Sequence, residues 1–401
     1  MKNPSFEELL HKEKEFVLQT YSRYPVALKK GKGVYVWDLQ GKKYLDFFAG
    51  IAVNDLGYAH KQIKKAVQRS LNRLIHASNY FYLEPQISLA EKLSLSSSQG
   101  KVFFANSGAE ANECALKLAR VYGNQCQPRR GTILTLENSF HGRTLATLFA
   151  TGQAKYHAGF EPAVGKYVYL EPNNISRIDS VLSDDVSSVL IELVQGEGGV
   201  RVMDKTFISA LSEKCRKKNV LFMVDEVQTG LGRTGRLFAY EHFGIIPDVI
   251  TLAKPLAGGL PMGVAIIKRE LAGLLKPGMH ASSFGGGYMV CSVANCVIDL
   301  IRKEKFLSHI REMGDYLSGQ FKALKQKYDF IAETRGLGLM QGMQLKFNGK
   351  EIVQKALEKG LIINCIQENV LRCLPPLVIE KEHIDRAVSI LDSVFSDAAG
   401  K

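Results

Sequence analysis

The sequence predicts an α/β protein: a large domain with a mostly parallel central sheet, and a smaller α+β domain built from both chain ends. Three observations carry this expectation. Short apolar runs recur from about residue 100 to 270, they do not alternate with polar residues, and helical or loop stretches separate them. Apolar runs without alternation suit strands covered on both faces, the condition of strands in a parallel sheet.

In chain order, residues 31–47 read as a hairpin, with Gly33-Val-Tyr-Val-Trp37 turning at Asp38–Gly41 into Lys43-Tyr-Leu-Asp-Phe47. Trp37 reads as core. Sheet strands are expected at Val102-Phe-Phe-Ala105, Ile133-Leu-Thr-Leu136 and Val189-Leu-Ile-Glu-Leu193, then at Val220–Val224, Val249-Ile-Thr-Leu252 and Gly263-Val-Ala-Ile-Ile267. Glu110–Tyr122 carries Ala111, Cys114, Ala115, Leu118 and Val121 at helical spacing, which predicts an amphipathic helix packed on that sheet. Beyond Val293, helical patterns such as Asn295–Arg302 and His383–Val394 dominate, interrupted by Gly336-Leu-Gly-Leu-Met340 and the strand-like Val370-Leu-Arg-Cys-Leu374. The expected division is residues 1–48 joining the small domain, 49–290 forming the large one, and 291–401 completing the small one.

The chain has 401 residues, 46% hydrophobic and 23% charged, enough for more than one domain with a substantial core. The formal charge of +12 is spread among acids without long like-charged blocks, which argues against nucleic-acid binding and leaves a basic surface suited to dicarboxylate substrates. The seven cysteines include no C-x-x-C pair, as expected of reduced thiols in a cytoplasmic protein, and no His/Cys cluster has metal-ligand spacing. The start, Met1-Lys-Asn-Pro-Ser-Phe-Glu-Glu, lacks an apolar signal core, and no stretch approaches the ~20 apolar residues that span a bilayer.

Chemistry concentrates where the strands end. The run Val249–Leu252 leads into Ala253-Lys254-Pro255, and Val220–Val224 leads into Asp225-Glu226. A lysine and an aspartate on neighbouring strand ends supply an amine for a Schiff base and a carboxylate for a protonated ring nitrogen, the pair that pyridoxal phosphate needs. Asn106-Ser-Gly-Ala-Glu-Ala-Asn112 joins a strand to a helix, where free N–H groups and the helix dipole favour an anion. Ser107 with Glu110 is also a plain capping pattern. Ligands of open parallel sheets lie beyond the carboxyl ends of the strands, so the Ser107 loop, Asp225 and Lys254 are expected to converge. Phe140-His-Gly-Arg143 belongs to the same rim: Phe140 could stack on a flat ring and Arg143 grip a carboxylate, while His141 reads as a satisfied core histidine. Arg372 sits inside an apolar run and needs a carboxylate partner from protein or substrate. Gly336-Leu-Gly-Leu-Met-Gln-Gly342 lacks the spacing of a dinucleotide loop.

These motifs, together with Gln195-Gly-Glu-Gly-Gly-Val200 and Asp225-Glu-Val-Gln-Thr-Gly-Leu-Gly-Arg-Thr-Gly235, resemble the class III aminotransferases of pyridoxal-phosphate fold type I, the aspartate-aminotransferase-like fold. The match runs from about Tyr21 to the C-terminus. The resemblance implies pyridoxal 5'-phosphate held as a Schiff base on Lys254, which then shuttles the proton. It implies Asp225 on the pyridine nitrogen, with Glu226 and Val227 beside it, Gln228 near the ring hydroxyl and Phe140 on the ring face. Ser107, Gly108 and Ala109 would hold the phosphate, with Ser283 of a partner subunit in a homodimer. Arg143 would bind the substrate α-carboxylate, Ser282 would lie close by, Arg372 would take a second carboxylate with Glu197 as its switchable counter-ion, and Tyr21 would line the entrance.

Within the family the motifs are most similar to the acetylornithine branch, where His141 follows Phe140; ornithine enzymes tend to carry tryptophan there. That implies transamination of N2-acetyl-L-ornithine with 2-oxoglutarate in arginine biosynthesis. Ornithine, succinylornithine, succinyl-diaminopimelate and lysine-pathway amines stand as alternatives, and a non-catalytic cofactor-fold binder is a reading of another class. Three departures from the family pattern stand out. Leu193 replaces the proline after Glu192, Pro255 replaces the glycine after the lysine and offers no N–H, and Gly287-Tyr-Met-Val290 alters the dimer-side substrate wall.

Overall fold

In the computed structural model, residues 4–399 are described, so the outermost residues of the domain limits expected at 1 and 401 lie outside them. After a capped N-terminal helix, Phe6–Phe16, the chain enters β1 (Leu28–Lys32), β2 (Tyr35–Asp38) and β3 (Lys43–Asp46), an antiparallel meander. β2 and β3 match the expected hairpin. β1, with three lysines in five residues, is an additional edge strand and mostly exposed.

The central sheet comprises β4 (Lys101–Ala105), β5 (Thr132–Leu136), β6 (Lys166–Leu170) and β7 (Val186–Ile191). A short ladder, β8 (Val194–Gln195) with β9 (Arg201–Val202), intervenes before β10 (Leu221–Asp225), β11 (Val249–Leu252) and β12 (Gly263–Ile267). The order is β4-β12-β11-β10-β7-β5-β6, and only β12 runs against the others. β5, β7, β10, β11 and β12 are buried at every residue, which is why their sequences are apolar without alternation. β7 begins earlier than its apolar run, because the buried Ser187 hydroxyl donates to the Thr132 carbonyl on β5. It also stops before Glu192, whose side chain turns to other partners. The helix Gly108–Gln125 covers the sheet with Ala111, Cys114, Ala115 and Leu118 fully buried.

The remaining strands are β13 (Ile331–Leu337), β14 (Met340–Leu345), β15 (Leu361–Ile362), β16 (Asn364–Ile366) and β17 (Val370–Cys373). They form the antiparallel order β13-β14-β17-β16, while β15 pairs in parallel with β3. The two chain ends therefore share a sheet. The boundary expected at 290/291 falls inside the helix Tyr288–Ile301, which packs on the helices Lys61–Leu71 and Glu84–Leu95 and on the turn at Lys254. A buried Arg233–Asp55 pair also links these regions, Arg233 donating further to the carbonyls of Leu339 and Pro375. Among the described residues no helix is long and apolar enough to cross a membrane.

Candidate active site

Strand ends deliver the site. β10 and β11 are parallel neighbours with Asp225 in register with Thr251, so Lys254 lies three residues beyond the position level with Asp225. Both line a cavity of about 410 Å³, together with residues that follow β4, β5 and β7. The Asp225 carboxylate is 4% exposed, and its acceptors are aimed by fixed donors. Oδ2 accepts from Asn112 Nδ2 and pairs with His141 Nδ1, each at 2.8 Å, and Oδ1 accepts the Val227 N–H at 3.0 Å. Asn112 is itself oriented by Thr251, whose hydroxyl donates to Asn112 Oδ1 at 2.7 Å. His141 is thus more than a packed core residue, and Asn112 and Thr251 were not singled out from the sequence. The position of Asn112, one helical turn beyond Gly108 on the sheet-facing side, was the available signal.

Lys254 adopts φ 39°, a left-handed conformation that costs a non-glycine residue of order 1–3 kcal/mol and persists only where surrounding structure holds it. Pro255, two short of Ala257 in a 3₁₀ turn that begins at Lys254, fits there because its N–H would be unpaired in any case. The Lys254 ammonium has no hydrogen-bond partner among the described residues. Burial pushes its pKa down, opposed by the nearby carboxylate of Glu197 and assisted by Arg372. A half-buried amine whose pKa is lowered can act as a nucleophile or a base.

On the other wall, Arg372 is 1% exposed on β17 and meets Glu197 Oε1 at 2.5 Å. Its Nε donates to Asn364 Oδ1 at 3.2 Å and its NH1 approaches Gln228 Oε1 at 3.4 Å. Burial, the largest single influence, would raise the Glu197 carboxyl, but the Arg372 guanidinium, the Lys254 charge and a Gln228 hydrogen bond together hold the pKa below the usual value. Arg372 therefore has the carboxylate partner that its apolar sequence context demanded.

Phe140 lines the cavity, and Arg143 at the mouth lies over the ring of Tyr156, with its guanidinium carbon 4.1 Å from the ring centre. Tyr156 was not anticipated. Ser107, Gly108, Ala109, Val227 and Gln228 also line the space. Glu226 does not: it points to the opposite side, accepting the N–H groups of Ala239 and Tyr240 at 2.8 Å each, because consecutive residues at a strand end face opposite ways. Its expected place at the cofactor is corrected to that of a buried staple for the 239–240 turn. Ser282 Oγ accepts from Asn106 Nδ2 at 3.1 Å, behind the Ser107 loop. Ser283 is exposed and lines no part of this cavity. Tyr21 is 73% exposed, packs under Arg23 and is not brought to the cavity.

Residues 17–395 match the family model described as aminotransferase class-III. The chain is a class III aminotransferase. It is 47% identical to the acetylornithine aminotransferase of Methanocaldococcus jannaschii, across 98% of this chain and 99% of that one. It is 46% identical to that of Aquifex aeolicus, across 95% and 100%. Among solved structures it resembles the ornithine aminotransferase of Toxoplasma gondii, with TM-score 0.95 and 29% identity over 100% of this chain and 97% of that one. It also resembles the acetylornithine aminotransferase of Elizabethkingia anophelis, with TM-score 0.89 and 31% identity over 98% and 100%. Pyridoxal phosphate is the family cofactor, and in a further T. gondii ornithine aminotransferase structure it partly occupies the active site.

This class III aminotransferase has a cavity whose chemistry fits that group. The N–H groups of Gly108 and Ala109 have no acceptor among the described residues, although they open a helix N-terminus. A Cβ at Gly108 would come within 2.8 Å of Val227 Cγ1, so the glycine keeps that corner free. The half-buried amine, the braced carboxylate and the unpaired amides together match an aldehyde, a ring nitrogen and a phosphate.

Proposed function

We propose that the protein transfers the amino group of N2-acetyl-L-ornithine to 2-oxoglutarate, giving N-acetyl-L-glutamate 5-semialdehyde and L-glutamate, a step of arginine biosynthesis. The observation that carries this reading is one cavity holding both the Lys254–Asp225 pair and the Glu197–Arg372 pair. Its support for the substrate is the 40–47% identity to enzymes named acetylornithine aminotransferase.

Lys254 is the residue assigned to hold the cofactor aldehyde, Asp225 its ring nitrogen, Phe140 its ring face, Gln228 its hydroxyl, and Ser107, Gly108 and Ala109 its phosphate. When bound, pyridoxal phosphate supplies the electron sink that makes the amine-bearing carbon of a substrate acidic. Lys254 Nζ, whose pKa is lowered by burial, takes the proton from that carbon and returns it on the other side of the exchange. Asp225 favours the protonated ring nitrogen through a charge-assisted hydrogen bond. Arg143 takes the α-carboxylate of acetylornithine. Arg372 stays masked by Glu197 for this singly charged donor and is unmasked for the second carboxylate of glutamate or 2-oxoglutarate.

We also infer a homodimer. Leu74, Ile75, Tyr80, Phe81, Tyr82 and Phe284 are all exposed, a costly apolar surface for an isolated chain, and Ser283 beside Phe284 is free to reach a partner's phosphate site. Cytoplasmic residence is proposed from the seven free thiols. The decisive experiment presents the holoenzyme with acetylornithine, succinylornithine, ornithine and succinyl-diaminopimelate in single half-reactions, followed by absorbance. Fastest conversion with acetylornithine supports the assignment; preference for another amine replaces the substrate but keeps the chemistry.

A further inference from the structure

Of the carboxylates lining the cavity, Glu192 is the one to which the mechanism above gives no task. It follows β7 directly, is 6% exposed, and divides its two oxygens between two walls. Oε2 accepts the N–H of Phe140 at 2.8 Å, and Oε1 accepts the N–H of Gly196 at 3.1 Å. Phe140 opens the loop that carries His141 and Arg143. Gly196 precedes Glu197, the counter-ion of Arg372. Gly196 is also tightly seated, since a Cβ there would meet Gln228 Oε1 at 2.2 Å.

The geometry points to Glu192 as a positioning residue that couples the Phe140 wall to the Glu197–Arg372 gate and so sets how strongly the cavity distinguishes singly from doubly charged acids. This inference rests on the gate proposed above. A carboxylate can accept both N–H groups, whereas a glutamine must turn its NH₂ towards one of them and lose that bond. Loosening the Gly196 link frees Glu197 from Arg372. A singly charged ligand then shares the cavity with an unmasked guanidinium and binds less well, while a diacid is spared.

The charged groups facing Glu192 are His141 after β5, Asp225 at the end of β10 and Lys254 after β11, with Glu197 following on its own loop. Burial raises the Glu192 carboxyl to about 7; His141 opposes the rise, Asp225 adds to it, and the two N–H bonds oppose it. Protonation below that value removes an acceptor, as the glutamine does.

The test uses the holoenzyme and two acids that carry no transferable amine, glutarate and 5-acetamidopentanoate, with dissociation constants measured by calorimetry. Glu192→Gln is expected to weaken 5-acetamidopentanoate roughly tenfold and change glutarate less than about twofold, the loss of one buried hydrogen bond acting on one ligand only. In a Glu197→Ala background the same substitution should no longer alter the ratio. In the wild type the ratio should shift as pH falls through about 7, and in Glu192→Gln it should stay flat. Equal weakening of both acids, an undiminished effect without Glu197, or equal pH dependence in both proteins overturns the proposal. If Glu192→Gln does not fold, Glu192→Asp keeps the charge but reaches only one of the two amides, and it is judged by the change in affinity ratio and by its loss in the Glu197→Ala background, not by pH. Neither acid is turned over, so a protein that fails to transaminate acetylornithine still answers the question.

Discussion

Asp225 and Glu197 are carboxylates of the same cavity, yet their surroundings are opposite in kind. Asp225 is held from three directions by Asn112, His141 and the Val227 amide, and Thr251 holds Asn112 in turn. Glu197 has a side chain 22% exposed and is held mainly by one guanidinium, supplied by a strand of the C-terminal antiparallel sheet, with Gln228 as a further side-chain partner. A fully bonded buried carboxylate is rigid, while a carboxylate balanced against one arginine can exchange that partner for a ligand acid. The difference separates a floor that serves both half-reactions from a wall that must change between them.

Substitutions on the floor should damage both half-reactions. Lys254→Ala is expected to cut turnover by on the order of 10⁴-fold or more with either donor, because it removes the proton carrier. Asp225→Asn should lower both half-reaction rates by roughly 10²- to 10³-fold, since a neutral amide no longer stabilises a protonated ring nitrogen. Single-turnover absorbance checks both; an effect confined to one donor would place these groups on the wall instead.

On the wall, Glu197→Ala should raise KM for acetylornithine roughly tenfold while sparing glutamate, because only the singly charged donor needs Arg372 masked. Equal losses for the two donors would remove the gate.

Much of this contrast was readable before any coordinates. The floor lies at the ends of β5, β10 and β11, whose largely apolar, non-alternating runs announce buried parallel strands, so Phe140, Asp225 and Lys254 stood at predictable places. Supporting residues were less visible. Asn112 and Glu192 sit in sequence as ordinary polar residues, and only the packing of a helix on the sheet or of one strand end on another gives them partners. Glu226 reads like its neighbour Asp225 until the side on which it leaves the strand is known. β6, Lys-Tyr-Val-Tyr-Leu at the sheet edge, lacks the buried pattern because its residues are mostly half-exposed.

Smaller effects should follow the support. Asn112→Ala should cost about 1–3 kcal/mol in denaturant unfolding, the penalty for buried acceptors left unpaired. It should slow both half-reactions alike. Burial raises both Glu192 and Glu226 to about 7 from 4.5, so the folded chain keeps protons that the unfolded chain has released. Stability should accordingly fall as pH rises from about 4.5 to about 7 and level off above, with Glu226→Gln flattening part of the slope in thermal melts.

The central claim is that Lys254, across from Asp225, carries the cofactor. Borohydride reduction of the holoenzyme followed by peptide mass spectrometry tests it most directly. A phosphopyridoxyl group on Lys254, absent from Lys254→Ala, is the predicted result; the same group on another lysine in an active wild-type enzyme would contradict it.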